Sequence, residues 1–358
     1  MTQPRAYLDW NATAPLRLEA KSAMLAAMDL AGNPSSVHAE GRAARAAVER
    51  ARAQVAALVG CAPGEVIFTS GATEAAATAL ASGGPVTALA TEHDCVLKWA
   101  ERIVPVDRRG LAEAVSHSCA LTGTLAWGGA SGETGVIQPA PPQTPARILA
   151  DLVQAAGKLP SASIWTDWDM ALLSAHKLGG PKGVGALILR EGREIAPLLR
   201  GGGQELSRRS GTENVVGIAG FGAAAEAALA DLETGVWARV ETLRDALEAR
   251  LRAAAPELVI VGEGAPRLPN TACFALPGWR GETQVMQMDL AGFAVSAGSA
   301  CSSGKAGPSR ALAAMGLDAQ TAGSAIRVSL GPTTTEAEVM GFAAAWEDRY
   351  RRLRLKSA

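Results

Sequence analysis

Aromatic residues are scarce, at 4% of 358 residues, with two tyrosines and five phenylalanines against eight tryptophans. The net charge of −1 excludes a global field that would gather nucleic acid or a membrane surface. No run approaches the ~18 consecutive apolar residues of a membrane span, and mean hydropathy is only +0.11. The opening Met1-Thr2-Gln3-Pro4-Arg5 lacks the charged-then-apolar pattern of a secretory signal. Five cysteines (Cys61, Cys95, Cys119, Cys273 and Cys301) form no CxxC pair and no metal-ligand spacing. No metal site is therefore expected, and free thiols in a reducing, cytoplasmic setting are. Lysine is rare in mid-chain, where residues 110–200 hold Lys158, Lys177 and Lys182 alone.

What is present reads as α/β. Helical spacing covers 17–30 and 40–59, the second stopped by Gly60. Strand-like runs at 66–69, 85–90, 103–106 and 121–127 alternate with helical or loop text, which argues a mainly parallel sheet. The proline-rich stretch 139–145 cannot be regular structure, and Ala146–Ala156 is helical by propensity. Residues 215–255 read as one long helix with a break at Gly235. Short strands and helices follow, as in a smaller α+β domain.

Chemistry concentrates in a few stretches. Lys177 sits in Ser174-Ala175-His176-Lys177 between two apolar runs and before a glycine-rich turn, where desolvation would make its amine a nucleophile; an ordinary loop lysine is the competing reading. Val66–Thr69 runs into Ser70-Gly71-Ala72-Thr73-Glu74, a strand, small-residue turn and helix start that would bind an anion or simply cap the helix. His93 follows a strand and would stack on a planar group, act as an acid or base, or cap a helix. Cys301 lies in a Gly/Ser loop as an available thiol. Arg327 interrupts an apolar strand, which calls for a substrate carboxylate or an internal salt bridge.

Together with Tyr7–Pro15, Asn33-Pro34-Ser35, Gly135-Val136 and Arg209-Ser210-Gly211-Thr212, these segments resemble the cysteine desulfurases of the IscS/NifS type, class V aminotransferases of fold type I that depend on pyridoxal 5'-phosphate (PLP). The resemblance implies a large PLP-binding domain over 15–228, and a small domain from 1–14 and 229–358 carrying a mobile cysteine loop. Lys177 would hold PLP as a Schiff base with His93 over its ring, and Ala72, Thr73, Ser174 and His176 would hold the phosphate. Thr212 would reach in from the other subunit of a homodimer. Asp151 would pair with the ring nitrogen and Gln154 would lie near the phenolic oxygen. This makes Arg147–Asp151 a strand, against its local propensity. Arg327 and Asn11 would bind the substrate L-cysteine. Cys301 would take its sulfur as a persulfide and pass it to a sulfur acceptor or iron–sulfur scaffold protein. The chain departs from the family at Ser131-Gly132-Glu133, where Asn-Asn-Glu is usual. An amide facing the substrate carboxylate is thereby lost, at ~1.5–3 kcal/mol if nothing replaces it. A related substrate (selenocysteine or cysteine sulfinate) and a catalytically weakened paralogue acting as a partner protein are the alternatives this raises.

Overall fold

The computed structural model describes residues 5–81, 83–113, 121–297 and 309–357. His117, Cys119 and the Ser/Gly loop with Cys301 lie outside the described residues. After β1 (Ala6–Tyr7) come β2 (Val66–Thr69), β3 (Val86–Leu89), β4 (Arg102–Val104), β5 (Thr124–Gly128), β6 (Arg147–Asp151), β7 (Met170–Ser174) and β8 (Gly185–Leu189). Strands β2 to β8 form one sheet in the order β2-β8-β7-β6-β5-β3-β4. From β7 to β4 all pairs are parallel, whereas β8 is antiparallel to both β7 and β2. The double reversal returns β2 to the common direction, so its C-terminal end lies at the same edge as those of β3, β5, β6 and β7.

These strands are apolar without alternation because both faces are covered. Val66, Phe68, Ala171, Leu173, Ala186 and Ile188 pack with helices α1 (Leu18–Met28) and α2 (Ala39–Val59) and with the helix around Phe221. Their neighbours Ile67, Met170, Leu172, Leu187 and Leu189 pack on α3 (Ala72–Leu80) and α4 (Asp94–Leu97). Helix α2 ends on Gly60 at φ 69°, a left-handed cap suited to glycine. The long helical stretch is α5 (Val215–Glu233) and α6 (Val236–Ala254), broken at Gly235 with φ 71°.

One local reading is corrected. Ala146–Ala156 is not a helix: Arg147–Asp151 is the strand that the resemblance implies, β6 lies between β5 and β7, which satisfy its backbone on both sides, and that pairing outweighs alanine's weak helical preference. Among the described residues one helix, Val215–Glu233, is long and apolar enough by length and composition to cross a membrane, although Glu226 and Asp231 interrupt its apolar run. Its Ile218, Phe221, Ala224, Ala225 and Ala228 are buried in the core instead.

Strands β9 (Val259–Ile260), β10 (Thr271–Ala275), β11 (Phe293–Ala294), β12 (Ser296–Ala297) and β13 (Ala325–Ser329) follow, and all but β11 form a second sheet. Its order is β12-β13-β10-β9, all antiparallel, while β1 pairs in parallel with β11. The scarce aromatics collect here. Trp346 stacks on Tyr350 at 5.6 Å and lies 5.3 Å from Trp279, and Phe274, Phe342 and Trp237 join the same core. Leu8 is buried in it, tying the N-terminal segment to the C-terminal part of the chain.

Candidate active site

The shared strand edge opens on a cavity of 880 Å³, the size of a small-molecule site. Ligands in α/β sheets bind outside the carboxyl ends of the strands, and each end here delivers one group. Strand β2 delivers Ser70–Thr73, β3 His93, β5 Ser131–Glu133, β6 Asp151 and Gln154, and β7 Ser174, His176 and Lys177; all line the cavity, with Asn11 and Arg327.

At one end α3 begins. The N–H groups of Ala72 and Thr73 precede the first intrahelical bond and favour an anion. The turn can form there because Gly185 has no side chain: a Cβ on it would stand 2.6 Å from the Gly71 Cα and from the Leu173 carbonyl. Ser174 is buried nearby. His176 Nδ1 lies 3.2 Å from Thr13 Oγ1. Burial, aided by Lys177 and Lys182, pushes its proton affinity down to about 4, so the imidazole is neutral at neutral pH.

In the middle, Lys177 Nζ donates to the carbonyls of Asn11 (2.6 Å) and Ala12 (3.0 Å). Asp151 ends β6, its Oδ1 accepting from Val153 N at 3.0 Å. Burial raises its proton affinity, against the opposing pull of that bond and of His93 and Lys177. Glu92 beside it is raised well above the carboxylate range, first by burial and then by Asp151. Two buried neighbouring carboxyls resist ionising together. His93 caps α4 and its Nδ1 accepts from Cys95 N at 3.1 Å, which leaves the proton of a neutral ring on Nε2. Capping and a place in the cavity thus coexist.

On the far side Arg327 is 3% exposed, and donates to Asp9 Oδ1 at 2.8 Å and to the Gly132 carbonyl at 2.9 Å. The internal salt bridge exists, and the same residue lines the cavity. Gln154 Nε2 donates to the Asn11 carbonyl at 3.1 Å, and Lys158 Nζ donates to Gln154 Oε1 at 2.6 Å. Of the residues expected at the site, Thr212 is exposed and does not line this cavity, and Cys301 lies outside the described residues. The described cysteines are poor nucleophiles: burial pushes the thiols of Cys61 and Cys95 up to about 12 and raises that of Cys273 further.

Asp9, Glu92, Glu133 and Lys158 had no individual signal in the sequence. Asp9 and Glu92 lie inside segments singled out for their neighbours, and Lys158 was visible only as one of three mid-chain lysines. Burial raises Glu133 to about 7, against Ser309 and Arg327.

The aminotransferase class-V family matches residues 6–342. A cysteine desulfurase of Cereibacter sphaeroides is 41% identical, over 94% of this chain and 93% of that protein. The chain belongs to the cysteine desulfurases of the class V aminotransferase family. The cysteine desulfurase IscS of Dictyoglomus turgidum is 36% identical over 93% of this chain and 91% of its own length. The NifS-like protein of Rickettsia africae superposes with a TM-score of 0.85 at 30% identity, over 97% of this chain and 99% of that one. Cysteine desulfurases of this family have the fold type I architecture and are generally PLP-dependent. The residues of this chain fit such a group. A buried acid, Asp151, lies across the cavity from the α3 anion end, with Lys177 on the neighbouring strand end.

Proposed function

We propose that this cysteine desulfurase works through PLP on L-cysteine, forms L-alanine, and carries the sulfur as a persulfide on Cys301. The carrying observation is the gathering of Lys177, Asp151, the α3 N-terminus and Arg327 on one cavity. When bound, PLP supplies an electron sink for the bond-breaking at the substrate Cα. The α3 N–H groups, Ser174 and His176 would hold the phosphate, Asp151 would hold a proton at the ring nitrogen, and His93 would lie over the ring. Lys177 Nζ would anchor the group and would hold the proton taken from the substrate Cα. Arg327 and Asn11 would receive the substrate carboxylate. The Cys301 thiolate attacks the substrate sulfur; an S–S bond forms as the Cβ–S bond breaks, the Cβ left behind takes a proton, and the Cα takes back the one held on Lys177, giving alanine.

The sulfur then passes to an acceptor, for which an iron–sulfur scaffold protein is the candidate the IscS relative brings. A cytoplasmic homodimer is part of the same proposal; that Thr212 is exposed and does not line its own cavity supports a role for it in the partner's site. Purified protein should show a near-UV to violet cofactor band and release alanine and sulfide in equal amounts from cysteine and a thiol. Bound PLP without alanine release would refute the reading. Gly132 favours a second reading, since it lacks the amide side chain that the resemblance leads one to expect beside the substrate carboxylate. On that reading, cysteine sulfinate or selenocysteine is the better substrate, and Cys301→Ala retains sulfinate turnover.

A further inference from the structure

Lys158 is 5% exposed and lies behind the cavity wall, seven residues beyond Asp151 on the turn leaving β6. A buried lysine is costly unless its ammonium is well paired. Among the described residues its hydrogen-bond partners are both neutral amides, Gln154 Oε1 at 2.6 Å and Asn11 Oδ1 at 3.4 Å. Burial, Lys177 and Arg327 lower its amine to about 7, yet charged or neutral the nitrogen still donates. This arrangement settles a question that an amide leaves open, namely which end faces the ligand. With Oε1 held by Lys158, Gln154 Nε2 points the other way and donates to the Asn11 carbonyl at 3.1 Å, the same carbonyl that takes Lys177 Nζ. A flipped amide would set donor against donor at Lys158 and acceptor against acceptor at Asn11, losing both bonds. Among the described residues Nε2 makes this one hydrogen bond, and Gln154 lines the cavity.

The amide occupies space released by Gly132. A Cβ at 132 would stand 3.0 Å from Gln154 Nε2 and 3.2 Å from its Cγ. The Gly132 carbonyl holds Arg327 Nη1 at 2.9 Å and Asn11 Nδ2 at 3.1 Å, so the Gln154 NH2 group lies beside the cationic side of the cavity. We propose that Lys158 is a positioning residue that locks the Gln154 amide with its NH2 edge toward the cavity, and that Gly132 makes the room, so that Gln154 donates to an anionic oxygen where residue 132 has no side chain. That oxygen belongs to the substrate carboxylate, beyond the place near the phenolic oxygen that the resemblance already implies for Gln154. The inference rests on the proposed function.

The test uses the full-length, PLP-loaded protein and the variants Lys158→Met, Gln154→Ala, Gly132→Ala, K158M/Q154A and G132A/Q154A. The readouts are the pH midpoint of the cofactor absorption band without substrate, and KM and kcat for L-cysteine. Lys158→Met should raise KM about tenfold, the loss of one hydrogen bond to an anionic oxygen, with the midpoint unmoved. A shifted midpoint without a change in KM overturns the assignment to the substrate carboxylate. In the Q154A background the same substitution should change neither, because Lys158 acts through Gln154. An equal effect in both backgrounds, or no effect in either, overturns the inference. Should Lys158→Met fail to fold, Gly132→Ala disturbs the same amide from the other side, and its effect must vanish in Q154A; persistence overturns the inference equally. Wild-type protein without a cofactor band refutes the functional reading and this inference together, whereas a normal band with no coupling refutes only the inference.

Discussion

Asp9 offers the sharpest test of how the substrate side is held together. Its carboxylate lies 2.8 Å from Arg327, whose side chain is 3% exposed, and its second oxygen accepts from Ser296 Oγ at 2.7 Å. Asp9→Ala removes the carboxylate that pairs with this buried guanidinium. Breaking a buried pair by removing one partner costs ~3–5 kcal/mol, a large share of the ~5–15 kcal/mol that stabilises an ordinary domain. Asp9→Asn keeps an acceptor and loses only the charge. A hydrogen bond to a charged group contributes ~1.5–3 kcal/mol against ~0.5–1.5 for a neutral one, so Asn should cost about 1–2 kcal/mol. Urea unfolding followed by far-ultraviolet circular dichroism and tryptophan fluorescence reads both losses. The double variant D9A/R327M, which removes the cation as well, should recover part of the stability lost in D9A. A loss under about 1 kcal/mol in D9A, or a double variant as unstable as the two single losses added, would refute the electrostatic account.

Lys177→Ala should abolish the covalent cofactor band and lower kcat by about a thousandfold; turnover within tenfold of wild type would remove Lys177 from the chemistry. Gly185→Ala forces a Cβ to within 2.6 Å of Gly71 Cα and the Leu173 carbonyl, so it should destabilise by ~1–3 kcal/mol and weaken retention of PLP, read by dialysis and absorbance. The folded His176 imidazole titrates at about 4 against an ordinary 6.5. Its stabilising contribution is therefore complete above pH 6.5 and is lost as pH falls toward 4. His176→Asn should flatten the fall in urea midpoint across that window, by about 1–2 kcal/mol after allowance for partial exposure; an unchanged slope would contradict the assignment.

Much of the layout was legible because its signals are local. Gly60 stops α2 and Gly235 separates α5 from α6 through left-handed backbone that glycine adopts freely. The alternation of apolar runs and helical text reads as a parallel sheet because a doubly covered strand has no polar face. Lys177 stood out because lysine is rare around it. Ala146–Ala156 misleads for the complementary reason: alanine's preference for helix is weak, and whether β5 and β7 flank the segment is not written within it. The resemblance recovered the strand; propensity could not.

The ordered residue types at the strand ends, and with them a family and a reaction class, were determined by the sequence alone, since a turn, a helix start or a reactive lysine needs only its immediate neighbours. Only the tertiary structure decided the partnerships. Arg327 and Asp9 meet across 318 residues, burial and then the neighbouring Asp151 raise the proton affinity of Glu92, and Lys158 turns the Gln154 amide over the space left by Gly132. The reason is physical: charge, proton affinity and amide orientation depend on burial and on which groups the fold brings within about 3 Å. Those distances exist only once the sheet has closed and the N-terminal segment has laid Asp9 and Asn11 across its edge.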